Sequence, residues 1–164
     1  MVDSLPCGCP SSTLQIFEPF APRREADRPD DIEETGGASS LTHWPIQIRL
    51  VPAATAPFLK GADLLVIADC TAVALPTLHH DLLKGKVVLM GCPKFDDVQD
   101  YIRRFTDIFT TAGIRSVTTI VMEVPCCSGL PAIVKKGMEA AGKEIPLEEI
   151  VVSTRGEILS SKKN

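Results

Sequence analysis

The sequence predicts an α/β fold, a mostly parallel sheet of four to five strands with helices on both faces. Three observations carry that expectation. Short aliphatic runs recur from residue 62 onward, "ADLLVIAD" (Ala62 to Asp69), "KVVLMG" (Lys86 to Gly91) and "SVTTIVMEV" (Ser116 to Val124). Their nearly continuous apolar character is what strands buried on both faces require. Between them lie segments whose apolar residues fall at three- and four-residue steps, the period of a helix. Strands alternating with helices at these lengths build βαβ units, hence parallel pairing with a covered sheet.

Taken in order, the chain opens with an extended segment, residues 1–42. Its stretch "FEPFAPRREADRPDDIEETGGASS" is rich in proline, glycine, serine and charge, a composition that cannot bury enough apolar surface to order itself. The "CGCPSS" at its head suggests that it folds back onto the domain. "IQIRLV" (Ile46 to Val51) alternates as a half-buried strand would. After the three aliphatic runs, "EEIVVS" (Glu148 to Ser153) reads as a fifth strand.

"DDVQDYIRRFTDIFTTAG" places Val98, Ile102, Phe105 and Phe109 on one helical face, with Asp at its start and Gly113 at its stop. "SGLPAIVKKGMEAAGK" reads as a helix capped by Ser128, with Pro131 in its first turn and its end near Gly142. "PTLHHDLLKG" is a shorter helical segment. The expected organisation is a Rossmann-like three-layer sandwich over residues 43–156, followed by a flexible tail, 157–164.

Bulk properties exclude several classes of function. The 164 residues suffice for one core. That core is aliphatic, since 45% of residues are hydrophobic and only 5% aromatic. A net charge of −4 supplies no basic stripe for a nucleic-acid backbone. No apolar run reaches membrane-spanning length. The start "MVDSLPCGCP" lacks the basic and apolar regions of a signal peptide, which makes the cytoplasm the expected compartment. No strand is followed by G-x-G-x-x-G, and no Walker A motif occurs, so dinucleotide and ATP binding are disfavoured.

The six cysteines carry the chemistry. In a reducing compartment they do not form a disulfide framework. Cys70 directly follows the first aliphatic run, Cys92 the second, and Cys126 with Cys127 the third. In a parallel sheet these strand ends share one edge, and the crevice outside them is where ligands bind. Four thiols distant in sequence therefore converge. Cys92 and the Cys126–Cys127 pair also precede helices, whose amino ends favour thiolate. Soft sulfur donors indicate an iron–sulfur cluster or zinc rather than a hard cation. Cys7 and Cys9 add two more thiols, and Cys9 is expected to close over the site, with Cys7 as a further metal ligand. Adjacent cysteines fit poorly on one cubane, so one of Cys126 and Cys127 is expected to stand behind the other. A cluster larger than a cubane would use the six thiols more fully.

The neighbouring polar residues have weaker claims. His79 and His80 read as surface or capping histidines, with a proton relay near the site as the sharper alternative. Lys94 could pair with an anionic ligand. Asp69 and Glu123, flanking candidate ligands, read as supporting or structural groups rather than acid–base catalysts.

At "LPCGCPSS", "WPIQIRLVP", "APFLKGADLLVIADC", "GCPKFDD" and "MEVPCCSGL" the chain resembles the C-terminal domain of 4Fe-4S ferredoxin-type proteins of anaerobic bacteria and archaea. The resemblance runs over about residues 5–155, with Ser11 standing where that family has glycine. It implies an iron–sulfur-associated function. In those proteins a two-cluster ferredoxin module usually precedes this domain, and this chain lacks it. "CCSG" is also loosely similar to the "CCG" motifs of heterodisulfide reductase, from which it departs by an inserted serine. The expected function is thus an iron–sulfur cluster-binding protein, a 4Fe-4S or a larger non-cubane cluster, acting in electron transfer with a ferredoxin domain or redox enzyme. Two alternatives stand beside it, a cluster-dependent reductase of a disulfide or small anion, and a zinc or thiol-based interaction module. A homodimer is compatible with the sequence.

Overall fold

The computed structural model describes residues 13–17 and 39–163. The aliphatic runs form three adjacent strands of a five-stranded sheet. β3 (Asp63–Ala68), β4 (Val87–Gly91), β5 (Ser116–Met122) and β6 (Leu147–Val152) are mutually parallel, and β7 (Ile158–Lys163) closes one edge antiparallel to β6. The spatial order is β4-β3-β5-β6-β7. β3 is an interior strand, and its length from Leu64 to Ala68 is buried, as expected of a strand covered on both faces. A separate pair, β1 (Gln15–Ile16) with β2 (His43–Trp44), lies antiparallel.

The chain first moves from β3 to β4 and then reverses past β3 to β5 and β6. Right-handed crossovers place those two directions on opposite faces. One face carries α2 (Val98–Thr111) and α3 (Leu130–Ala140), which pack against each other. The β3–β4 crossover holds α1 (Asp69–Ala74) and a π-helical turn, Leu78–Leu82. α2 starts where Asp97 accepts hydrogen bonds from the Gln99 and Asp100 N–H groups at 2.7 and 3.3 Å, an N-cap that satisfies two orphan donors. Its buried stripe is Tyr101, Phe105, Ile108 and Phe109. It ends before Gly113, whose φ of 60° terminates the helix.

Three local expectations are corrected. Ile46 to Val51 is not a strand. One parallel bridge joins Gln47 to Met90, after which the chain turns, with Leu50 and Val51 N–H groups donating to the Gln47 carbonyl. The buried residues are Ile48 and Val51, three apart, because a turn and not a pleat presents them. Ser128 is not the cap of α3. Its hydroxyl donates to the Pro125 carbonyl at 2.9 Å, and Gly129 occupies the cap position. Residues 158–163, expected as tail, are β7. The hairpin before it is tied by Ser153, whose Oγ accepts from the Arg155 and Glu157 N–H groups. β7 is exposed on both faces apart from half-buried Ser160, so it carries no apolar alternation to announce it. The six residues of α1 were likewise too few to show a period.

His43 is fully buried beneath Phe58, ring centroids 4.3 Å apart, and its Nε2–H donates to the Val88 carbonyl at 2.9 Å. Burial lowers its pKa, against a smaller opposing effect of the Val88 bond. Below the ordinary histidine value near about 6.5 the unfolded chain therefore binds more protons than the fold, and stability falls as the pH is lowered. Urea midpoints are expected to drop between about pH 7 and about pH 5. His43→Gln, which keeps an N–H donor without a titrating ring, is expected to show a shallower drop. Parallel pH profiles for the two proteins would refute this.

Candidate metal centre

The reversal of chain direction at β3 creates a switch point between the carboxyl ends of β3 and β5, the place where open α/β sheets bind ligands. The cysteines gather on this edge. Cys70 is exposed in the first turn of α1, two residues past Ala68 at the end of β3. Cys92, half-buried, follows Gly91 at the end of β4. Cys126, exposed, lies in the turn between β5 and α3. Because β4, β3 and β5 are neighbours in that order, these three thiols cap three adjacent strands. All four described cysteines are free.

Cys127 behaves differently from its neighbour. It is only 4% exposed, and its Sγ accepts a hydrogen bond from the Met122 N–H at 3.2 Å. The Met122 and Val124 carbonyls lie 3.7 and 3.8 Å from the same sulfur, within reach of its S–H. Burial pushes this thiol up, the Met122 N–H opposes, and the adjacent Cys126 adds to the rise. Cys127 is thus a neutral plug under the β5–α3 turn, and Cys126 faces out. Cys7 and Cys9 lie outside the described residues.

The loops that carry the thiols are held by bonds the sequence did not announce. The Cys92 carbonyl accepts from the Phe95 and Asp96 N–H groups at 3.1 and 2.9 Å, closing a tight turn. Asp96 then accepts from the Tyr101 hydroxyl at 2.5 Å and pairs with Arg49 at 3.2 Å. Tyr101, fully buried, has its phenol pushed far up by burial first and by Asp96 second. The signal for this pair was present, since a core tyrosine needs a partner for its hydroxyl, and Asp96 stands beside the capping Asp97. Asp69 accepts from Gln47 Nε2 at 3.4 Å, and burial raises its pKa, with Asp96 pushing the same way. Glu123 accepts from the Thr154 N–H and hydroxyl at 2.8 and 3.3 Å, which fastens the end of β5 to the β6–β7 hairpin. Glu123 is structural.

His79 and His80 are exposed and tied elsewhere. His79 Nδ1 accepts from the Ser40 N–H at 3.2 Å, and His80 pairs with Asp81 at 2.6 Å. Lys94 is exposed in the Cys92 turn. Two apolar side chains also stand in solvent at this edge, Val73 at 91% and Phe95 at 85%, three residues past Cys70 and Cys92 respectively.

Residues 56–164 match the Rossmann-like domain family. The chain belongs to that family. This Rossmann-like protein is also similar to an uncharacterized protein of Archaeoglobus fulgidus, 34% identical over 118 residues, which span 72% of this chain and 82% of that protein. No solved structure matches it. Among the described residues, no helix is long and apolar enough to cross a membrane. Nor do three or more described His, Cys, Asp or Glu side chains stand within metal-holding distance of one another. The thiols share an edge without being drawn together, so binding a metal requires the loops after β4 and β5 to close on it.

Proposed function

We propose that this Rossmann-like protein holds an iron–sulfur cluster at the carboxyl edge of its sheet and exchanges electrons there with a ferredoxin domain or another redox enzyme, in a reducing cytoplasm. The observation that carries this reading is the placement of three solvent-reaching free thiols, Cys70, Cys92 and Cys126, on three adjacent strand ends. The donor chemistry fits, because soft thiolates suit iron–sulfur clusters. The carboxylates flanking the ligands do not compete for metal, since Asp69 faces Gln47 and Glu123 is engaged by Thr154.

A cluster bound here would supply one-electron chemistry. The chain's own part is to present the thiolates from a rigid sheet on loops short enough to close. The Asp96–Tyr101 bond anchors the loop that bears Cys92, and the buried Cys127 anchors the turn that bears Cys126. Exposed Phe95 and Val73 offer apolar contact to whatever approaches the edge.

The test is iron, acid-labile sulfide and zinc per chain on anaerobically prepared protein, together with its visible spectrum. About four irons with matching sulfide are expected for a cubane, and Cys92→Ala should abolish the visible band. More iron than a cubane holds would assign a larger cluster. Zinc alone, or no metal after anaerobic reconstitution, would overturn the redox reading and leave a zinc or thiol module.

A further inference from the structure

We infer that the amino edge of the sheet, opposite the thiols, binds a single phosphate group through Lys86 and Thr118, either as the free anion or on a small molecule. A hollow of about 420 Å³ opens there, within the roughly 300–1,000 Å³ of small-molecule sites. The parallel strands β3, β5 and β6 begin around it, and the antiparallel β7 ends at it. The turn leading into β4 completes the rim with Lys84, Gly85 and Lys86.

Register puts the polar side chains on one face. Asp63 pairs with Ser116, Thr118 with Glu148, and Glu148 with Lys163. Ser116 and Thr118 are two apart on β5, so all five project the same way. Lys86 joins them, two residues before Val88, whose partner Leu65 stands two after Asp63. The neighbouring Glu149 points to the other face, where it pairs with Lys135 of α3 at 2.8 Å. The polar group therefore lies on the face that α2 and α3 leave uncovered.

Three lysines line the hollow, Lys84, Lys86 and Lys163, and no described carboxylate forms an ion pair with any of them. The two carboxylates on the same rim are engaged elsewhere. Asp63 accepts from Ser116 Oγ at 2.8 Å and pairs with Arg115 at 2.5 Å, while Glu148 accepts from Ser161 Oγ at 2.7 Å. Lys86 is the smallest of the influences on the Asp63 carboxyl. Three lysines less two carboxylates leave one net positive charge, which suits one phosphate and not a polyphosphate chain.

Lys86 is half-buried, and its Nζ donates to the Thr118 hydroxyl at 3.1 Å, a neutral acceptor. Withdrawing an ammonium from water is costly unless an anion compensates it. Thr118 is only 4% exposed. Its oxygen accepts from Lys86, which leaves its own O–H to donate, and the ammonium holds two further donors. Ammonium and hydroxyl side by side are what phosphate oxygens take. Gly85, at a φ of 75° with open space where a Cβ would stand, leaves the turn bare for an oxyanion to approach. Pro146 and Leu147 add an apolar wall for the carbon part of an ester.

Inorganic phosphate is the probe, titrated into the reduced, nitrogen-15-labelled full chain at constant ionic strength made up with chloride. The thiol edge takes no part, so the outcome is independent of what binds there. Saturable shifts are expected in the Gly85, Lys86 and Thr118 amide signals, with the amides of the Cys92 turn unmoved. Lys86→Met keeps the buried stem and removes the charge. It is expected to raise the half-saturating concentration about tenfold or more, as loss of a charged hydrogen bond does. Thr118→Val should raise it in the same direction, while Lys136→Ala, on exposed α3 surface, leaves it unchanged. Glycerol phosphate tells the two sources apart. Tighter binding than phosphate assigns an ester lying on Pro146 and Leu147, and equal or weaker binding assigns the free anion. Shifts that chloride reproduces, that never saturate, or that persist unchanged in both Lys86→Met and Thr118→Val would overturn the inference.

Discussion

Phe105→Ala is expected to lower the unfolding free energy by about 3–5 kcal/mol, the cost of removing a large aromatic side chain from a packed interior. Phe105 is fully buried between Tyr101, edge-on at 6.5 Å, and Phe109, stacked at 5.9 Å. Gly137 of α3 also packs directly against it. A Cβ added at Gly137 would lie 2.6 Å from Phe105 Cβ, with the Phe105 carbonyl carbon at 3.3 Å and the Thr106 nitrogen at 3.4 Å. Those are atoms that no rotamer change can move. Gly137→Ala therefore pushes the helices apart, at about 1–3 kcal/mol for overpacking, partly offset by about 1 kcal/mol of helix propensity. The discriminating result is the double variant. Alanine at 105 retains its own Cβ, so Phe105→Ala does not rescue Gly137→Ala. Urea unfolding of the four proteins checks this, and recovery of stability in the double variant would contradict the backbone-contact argument.

Gly91→Ala is expected to be the costliest single methyl group near the candidate centre. An added Cβ would sit 1.9 Å from the Tyr101 hydroxyl oxygen, 2.8 Å from its ring carbon Cζ and 3.1 Å from Ile48 Cδ1. Tyr101 is fully buried, and moving it disturbs the bond to Asp96 that holds the Cys92 turn. Overpacking of this kind costs about 1–3 kcal/mol. Tyr101→Phe alone should cost about 1 kcal/mol for the lost hydrogen bond. Combined with Gly91→Ala it should recover part of the loss, because the worst contact disappears while the Cζ contact remains. Non-additivity in that direction is the measurement, made again by urea midpoints. If the two changes simply add, the hydroxyl is not what the glycine accommodates. In anaerobically reconstituted protein, Gly91→Ala should also retain less iron than Tyr101→Phe, since it displaces the loop and does not merely loosen it.

The two variants bracket what could be read without coordinates. The aliphatic runs and the periodicity of α2 and α3 are local patterns, and each lies within a residue or two of its expected place. The cysteines at strand ends were legible for the same reason, because a strand's end is marked by the residue that stops its apolar run. Gly91 and Gly137 were not legible. Their role is set by a side chain and a helix distant in sequence, which no window along the chain contains. The Ile46–Val51 segment misled because alternation over six residues is compatible with a turn that buries positions three apart. β7 misled in the opposite sense, as a polar edge strand is specified by its partner β6 and by the Ser153 turn.

By itself, then, the sequence determined the α/β class, the helices α2 and α3, and the assignment of thiols to three strand ends, since all of these follow from apolar patterning and backbone propensity over short windows. Only the tertiary structure decided that the three strands are neighbours, and that Cys126 faces solvent while Cys127 is folded under. The physical reason is that strand order, burial and register are settled by pairing between segments far apart in the chain, where hydrogen bonding and exclusion of water act together on residues that sequence proximity never joins.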